Sequence, residues 1–595
     1  MIQERLRLLR ERMKESGVTV YVIPSSDCHE SEYVCGHYRA RAYITGFTGS
    51  AGTAVVTLQD AGLWTDGRYF IQAQMQLQDT GIRLFRTGEP GVPTVEAYVK
   101  EHLEKGGRLG FDGTVMGAFR AEALMKAADE KEAGVLATED LVGAIWKDRP
   151  EIPDAPVFIL EERYCGESAK RKLMRVREKL KELGADIHVI ASLCDIAWIL
   201  NIRGGDIPGV PVTLSYLCIT KDTCVWYARS SVVTEELRSY LSENEIQVKE
   251  YGTVYQDLSE LGPGLNVLMD KRKINYRLLT SIPQGAKLID KSSPSELMKA
   301  VKNETELKNL RIAHLKESIA FTRLMYWVKT NVRKQEMTEL SVSEYLNERR
   351  KEQEHYLGES FSPICAYGPN AAIVHYSADR KSNAAVEAKG FLLVDAGGHY
   401  LEGTTDTTRT FVLGELTEEQ KRMFTAVCRA NLNLANARFL YGCTGYTLDV
   451  LCREPLWQLG TDYKHGTGHG VGYLLNVHEG PNAFRWKAPE GEKPAVLEAG
   501  MVTTDEPGIY VEGEYGIRTE NELVCVKGTE NEYGQFMEFE IVTLVPIDLD
   551  GIVPEEMTLT ERKYLNDYHQ KVYNTLSSYL SGEEREWLKV STRAV

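Results

Sequence analysis

A charged helix-like segment, a glycine and a run of β-branched and aromatic residues open this chain, and the same succession returns well inside it. Leu6, Leu8 and Leu9 sit among charges between Met1 and Glu15, and Gly17-Val18-Thr19-Val20-Tyr21-Val22-Ile23-Pro24 then reads as a buried strand. Residues 170–183 are again charged and amphipathic, and Gly184-Ala185-Asp186-Ile187-His188-Val189-Ile190 repeats the glycine-to-strand step. The repeat predicts two α/β domains of similar topology. At 595 residues the chain also exceeds one core, because single cores stop growing near ~250–300 residues. The stretch Arg149-Pro150-Glu151-Ile152-Pro153-Asp154-Ala155-Pro156 can neither continue a helix nor occupy a central strand, so it sets the first boundary. A second falls near Lys291-Ser292-Ser293-Pro294, after which Leu307, Leu310, Leu315 and Ile319 recur at helical spacing. Thr558-Leu559-Thr560-Glu561 has the form of a capping box ahead of Tyr564, Leu565, Tyr568, Val572 and Leu576, which predicts a terminal helix packed on the core. The expected division is 1–150, 151–295, 296–545 and 546–595.

Several functions are disfavoured early. A formal charge of −16 opposes nonspecific nucleic-acid binding, which needs clustered Lys and Arg. No run approaches the ~20 apolar residues of a membrane span, and the N-terminus lacks the apolar core of a secretory signal. The expectation is a cytoplasmic protein with no membrane or nucleic-acid partner. Its 11 cysteines, scattered from Cys28 to Cys525, suit reduced packing thiols. Gly46, Gly49 and Gly52 lack the spacing of a phosphate cradle and read as a turn. Cys28, His29, Cys35 and His37 fit no common zinc spacing; the thiols read as buried.

The chemistry concentrates after residue 390. Four segments place an acid or histidine within or beside β-like runs: Phe391-Leu392-Leu393-Val394-Asp395; Gly403-Thr404-Thr405-Asp406; His465-Gly466-Thr467-Gly468-His469-Gly470; and the pair Met501 to Glu506 with Gly516 to Glu520. Asp395 ends a continuous apolar run and should be buried, where a carboxylate is costly unless a cation pairs with it. If Asp395, Asp406, Glu506 and Glu520 converge, mutual repulsion keeps several protonated unless divalent ions oppose them. Oxygen-rich ligation with one imidazole suits Mn²⁺ or Co²⁺, and Zn²⁺ remains open. Two neighbouring ions make water nucleophilic near neutral pH, so hydrolysis is the expected chemistry.

These residues, with Gly368-Pro369-Asn370-Ala371-Ala372-Ile373-Val374-His375-Tyr376, Thr407-Thr408-Arg409-Thr410, Asn476-Val477-His478-Glu479-Gly480-Pro481, Asp505-Glu506-Pro507-Gly508 and Gly516-Ile517-Arg518-Thr519-Glu520-Asn521, resemble the Xaa-Pro aminopeptidases. The match is to the long, three-domain cytosolic type of this metallopeptidase family and extends over nearly the whole chain. The resemblance implies an α/β fold, with two creatinase-like N-terminal domains ahead of a pita-bread catalytic domain and a C-terminal helical extension. It implies two divalent ions held by Asp395, Asp406, His469, Glu506 and Glu520. It further implies that Glu506 handles the proton of the attacking water, that His375 and His478 flank the scissile carbonyl, that His465 walls the proline pocket, and that Arg518 steadies Glu520. Peptides with proline at position 2 are the implied substrates, and a homodimer the implied assembly. The rivals are a prolidase restricted to dipeptides and a peptide-binding module without catalysis. His399 receives no role from the resemblance and reads as an exposed turn residue.

Overall fold

The computed structural model describes residues 1–380, 382–488 and 493–595. Two compact units divide the chain: residues 1–161 with 167–295, and residues 162–166 with 296–595.

The first unit contains the repeat that the sequence announces. Helix Ile2–Glu15 turns its buried Leu6, Leu9 and Met13 inward, and helix Ala169–Leu183 does the same with Leu173, Val176 and Leu180. Each helix is followed by a glycine with φ of +66°, Gly17 and Gly184, a left-handed conformation that closes a helix at little steric cost only for glycine. The strands that follow, Val20–Pro24 and Ile187–Ile190, are buried throughout. Each lies inside a six-stranded sheet. The first runs Arg83–Arg86, Ala61–Thr65, Thr53–Thr57, Val20–Pro24, Arg108–Gly110, Gly134–Leu136; the second runs Gln247–Glu250, Cys224–Ala228, Ser215–Thr220, Ile187–Ile190, Asn266–Met269, Lys287–Asp290. Both sheets make an antiparallel pairing on one side of that strand and a parallel one on the other. The same topology is therefore built twice. Around residue 28 the thiols are packing groups: Cys28 and Cys35 are buried, and the His29 ring is held by the Ala191 carbonyl at 3.0 Å and the Tyr251 hydroxyl at 2.7 Å. Gly46 closes the helix Ala40–Thr45 and belongs to a turn.

The second unit opens on the 28-residue helix Glu304–Asn331, started by an Asn303/Glu306 capping box. Two sheets dominate it. Phe391–Ala396 is the middle of three strands, between Ile364–Tyr367 and Thr407–Val412; covered on both faces, it reads as the unbroken apolar run that such a position requires. A six-stranded sheet runs Phe439–Leu440, Gly534–Ile541, Asn521–Asn531, Val502–Asp505, Gly468–Gly470, Glu479–Phe484. Helices Glu418–Ala435 and Leu559–Leu576 contribute to one buried cluster through Phe424, Val427, Leu565, Tyr568 and Val572. Helix Leu559–Leu576 carries the expected Thr558/Glu561 capping box, and it is not the last element: a further helix, Gly582–Ser591, follows with a Ser581/Glu584 capping box of its own. His399 departs from expectation. It lies buried in strand Gly398–Tyr400, its Nδ1 3.0 Å from the Thr404 hydroxyl, because the short antiparallel pairing with Gly403–Thr404 turns its ring inward.

Candidate metal centre

Strand register brings the acids together. Asp395 pairs with Thr408 across the antiparallel ladder, and Asp406 sits just before strand Thr407–Val412. In the larger sheet Asp505 pairs with Asn521, so Glu506 and Glu520, one residue outward on each strand, face each other. His469 is fixed from both sides: its N–H takes the Thr504 hydroxyl at 3.0 Å, and Gly470 pairs with Thr503. Asp406, His469 and Glu520 each present a ligand atom within 4.8 Å of the others. Gly516 lets the neighbouring segment close in, since a Cβ there would stand 1.8 Å from the Ala371 carbonyl. Beyond that contact the Val374 carbonyl accepts from Arg518 Nη2 at 3.5 Å, which ties the backbone just before His375 to Arg518.

The electrostatics demand positive charge. Burial, then Asp395, Glu506 and Glu522, holds the Asp406 carboxyl well above the usual carboxylate range. Burial, then Asp406 and Asp395, does the same to Glu520; for Glu506 the causes are burial, then Glu520, with Arg518 opposing. Arg518 offsets a single charge: its Nη2 donates to Asp395 Oδ2 at 2.5 Å. Asp395 Oδ1 and Asp406 Oδ1 are buried with no hydrogen-bond partner, an arrangement that burial without a cation would penalise. The imidazole points the same way. Nδ1 of His469 lies 3.0 Å from the Gly470 carbonyl, which fixes the proton there and turns Nε2 toward the acids. Nε2 stands 3.5 Å from both Asp406 Oδ2 and Glu506 Oε1, too long for hydrogen bonds and suited to atoms that share a cation. The donor set fits hard or borderline divalent ions.

Three of the predicted residues occupy the surroundings of this cluster. The His478 ring meets His469 edge-on at 4.3 Å. The next residue, Glu479, is buried between Lys299 Nζ at 2.7 Å and Lys302 Nζ at 2.5 Å, which pins the His478 loop. His465 has both nitrogens occupied, Nδ1 by the Gly466 carbonyl at 2.7 Å and Nε2 by the Tyr510 hydroxyl at 2.8 Å. Arg518 differs from expectation in its direct partner. It hydrogen-bonds Asp395, and it is linked to Glu520 by its charge and through Thr408, whose hydroxyl accepts from Arg518 Nε at 3.3 Å and donates to Glu520 Oε2 at 2.6 Å. Position in the sequence sets Arg518 near Glu520, but alternation along the strand turns its side chain toward Asp395.

Sequence reasoning missed Tyr510, which joins His465 to Arg518 Nη1 at 2.7 Å. It also missed Glu522, whose Oε1 accepts the Asp406 backbone N–H at 2.6 Å while Oε2 lies 3.1 Å from His314 Nε2. No local pattern marks either residue, since His465, Asp406 and His314 lie far from them in the sequence.

Comparison with known proteins accounts for the whole chain. Residues 5–145 and again 148–306 match the creatinase/prolidase N-terminal domain, residues 308–527 metallopeptidase family M24, and residues 535–595 the C-terminal region of that peptidase. The probable Xaa-Pro aminopeptidase P of Botryotinia fuckeliana is 37% identical over 604 residues, covering 98% of this chain and 92% of that protein. The chain belongs to the aminopeptidase P family. Aminopeptidase P2 of Arabidopsis thaliana is 36% identical, over 100% of this chain and 88% of that one. Among solved structures, X-prolyl aminopeptidase from Caenorhabditis elegans, described as a cytosolic enzyme with a di-nuclear active site, superposes with a TM-score of 0.95 at 32% identity over 100% of both chains. The Xaa-Pro dipeptidase of Bacillus anthracis gives 0.52 at 25% identity, covering 64% of this chain and 99% of its own. The aminopeptidase P fold thus comprises two creatinase-type sheets and a C-terminal pita-bread domain.

Proposed function

We propose that this chain is an Xaa-Pro aminopeptidase, releasing the N-terminal residue from peptides whose second residue is proline. The enzyme is a metalloaminopeptidase. The observation that carries the reading is the convergence of Asp406, His469 and Glu520, with Asp395 Oδ1 and Asp406 Oδ1 buried and without a hydrogen-bond partner among the described residues, in a chain of this family. Asp395, Asp406, His469, Glu506 and Glu520 would hold two divalent ions, Mn²⁺ by preference of the donor set. When bound, such a pair supplies Lewis acidity that activates water and polarises a carbonyl.

The chain's own residues do the rest. Glu506 takes the proton from the attacking water and delivers it to the departing nitrogen. His478 and His375 donate toward the developing oxyanion. His465 is held at its ring edge by Gly466 and Tyr510 and packs against the Tyr463 ring at 4.8 Å, which fixes the imidazole plane as a wall for a proline ring. A bond to proline carries no N–H, so selection rests on such a shaped wall rather than on backbone pairing. The division 1–150, 151–295, 296–545 and 546–595 serves this activity, supported by two sheets of one strand order ahead of the acids.

We also read the protein as cytosolic: among the described residues no helix is long and apolar enough to cross a membrane, and the nematode neighbour is described as cytosolic. A homodimer is supported by the exposed pair Trp457 and Trp486, 42% and 51% exposed and in edge contact at 6.4 Å; sedimentation velocity giving a monomer at micromolar concentration rules it out.

Metal-stripped protein incubated with Arg-Pro-Pro, Arg-Ala-Ala, Arg-Pro and N-acetylated Arg-Pro-Pro, with and without Mn²⁺, tests the function by mass spectrometry. Manganese-dependent release of arginine from Arg-Pro-Pro, with none from Arg-Ala-Ala or the acetylated peptide, is expected. Cleavage of Arg-Pro alone makes the protein a prolidase, and no turnover with Mn²⁺, Co²⁺ or Zn²⁺ overturns the reading.

A further inference from the structure

The helix Leu559–Leu576 does more than cover the core. Its Tyr568 is buried, and the phenol lies 2.7 Å from Arg409 Nη2, from which it accepts, and 2.7 Å from the Val545 carbonyl, to which it donates. Arg409 is itself buried. Its Nη1 donates to the backbone carbonyl of Glu520 at 2.5 Å and of Thr408 at 2.8 Å, and its Nη2 to Asn521 Oδ1 at 2.7 Å. From Asn521 the network continues through Nδ2 to Asn431 Oδ1 at 2.7 Å, and Asn431 Nδ2 donates to the Asp505 carbonyl at 2.7 Å. The network ends on the Glu520 and Asp505 carbonyls, beside or within the proposed ligands Glu520 and Glu506, and on the Thr408 and Val545 carbonyls, with the Asn521 side chain between them.

We infer that the helix Leu559–Leu576 is a positioning element of the metal centre, with Tyr568 and Arg409 clamping, from behind, the paired strands that present Glu506 and Glu520. The inference rests on the proposed metallopeptidase reading. Its physical basis is that the Arg409 guanidinium locks the carbonyls of Thr408, Glu520 and Val545 and the Asn521 side chain at once, while the phenol locks the guanidinium. Loose ligand backbones bind metal less tightly, because ordering is then completed at the moment of binding. None of these residues meets substrate, so they are positioning rather than catalytic residues.

The test compares the full-length protein with Tyr568→Phe, Arg409→Lys and Thr558→Ala, the last weakening the same helix at its cap without touching the network. Mn²⁺ affinity of metal-stripped protein is measured by competition with a fluorescent chelator, alongside thermal unfolding of the stripped form. Tyr568→Phe is expected to raise the apparent Kd about tenfold, and Arg409→Lys by more, on the scale of lost outer-shell support. Thr558→Ala should lower the unfolding temperature and leave the Kd in place. An unchanged Kd for Tyr568→Phe, or an equal rise for Thr558→Ala, overturns the inference. The wild type separates the two levels: if it binds two Mn²⁺ and cleaves Arg-Pro-Pro while Tyr568→Phe binds as well, only the clamp fails, whereas a wild type without Mn²⁺ affinity removes the functional reading and the clamp with it.

Discussion

Asp406, Glu506 and Glu520 are held above the ordinary carboxylate range, in each case first by burial. The sign of the consequence is fixed by linkage. A carboxyl whose folded pKa lies above its unfolded value of about 4 binds protons more tightly in the folded chain. Metal-stripped protein therefore keeps this contribution to stability below that pH and loses it as the pH rises through the raised values. A divalent ion reverses the preference by favouring the charged forms. Binding Mn²⁺ near neutral pH should then expel protons, and the stabilisation given by Mn²⁺ should grow from acid to neutral pH. Titration calorimetry in two buffers of different ionisation enthalpy reads the proton count directly. Equal heats in both buffers would mean that these acids are already ionised without metal, and the account of the site given by burial and mutual repulsion would be wrong. Arg518 explains why the acids tolerate one another in the folded chain at all: a guanidinium at 2.5 Å from Asp395 offsets one charge and leaves the remainder to protons or metal.

At the scale of elements, what was legible in the sequence is what local chemistry dictates. A glycine that must adopt a left-handed φ, at Gly17 and Gly184, marked both helix ends in the repeat. An apolar run ending in an acid, Phe391–Ala396, announced a strand covered on both faces. A Thr-x-x-Glu motif announced the helix Leu559–Leu576, and its buried stripe of Leu565, Tyr568, Val572 and Leu576 follows the helical period. Long-range pairing was not legible, because nothing local specifies it. Tyr568 looks in sequence like any aromatic core residue; only the fold sets its hydroxyl against Arg409. His399 was misread for the same reason, since glycines and an aromatic around it suggest a turn, while its burial comes from the pairing with Gly403–Thr404. The ligand set was carried by motif resemblance, and the direct partner of Arg518 followed from strand alternation that the motif does not encode.

On the scale of the whole molecule, the metal centre belongs to one of two compact units. All five proposed ligands lie in residues 296–595, whereas residues 1–161 with 167–295 are built around two sheets, the first of them flanked by two buried clusters drawn from residues of that unit alone. A ligand that binds one unit stabilises that unit by mass action, about 2.7 kcal/mol when its concentration is a hundred times Kd, and gives nothing to a unit that unfolds separately. Scanning calorimetry of the full chain should accordingly resolve two transitions, since chains with separate cores depart from a single all-or-none step. Mn²⁺ should move one transition upward and leave the other where it stands in chelator. For a unit of this size each kcal/mol corresponds to an increase of about 2–4 °C, so the displacement is measurable. Two transitions rising together, or a single transition whose calorimetric and van't Hoff enthalpies agree, would show that the two units unfold as one and that metal bound by the second stabilises the first.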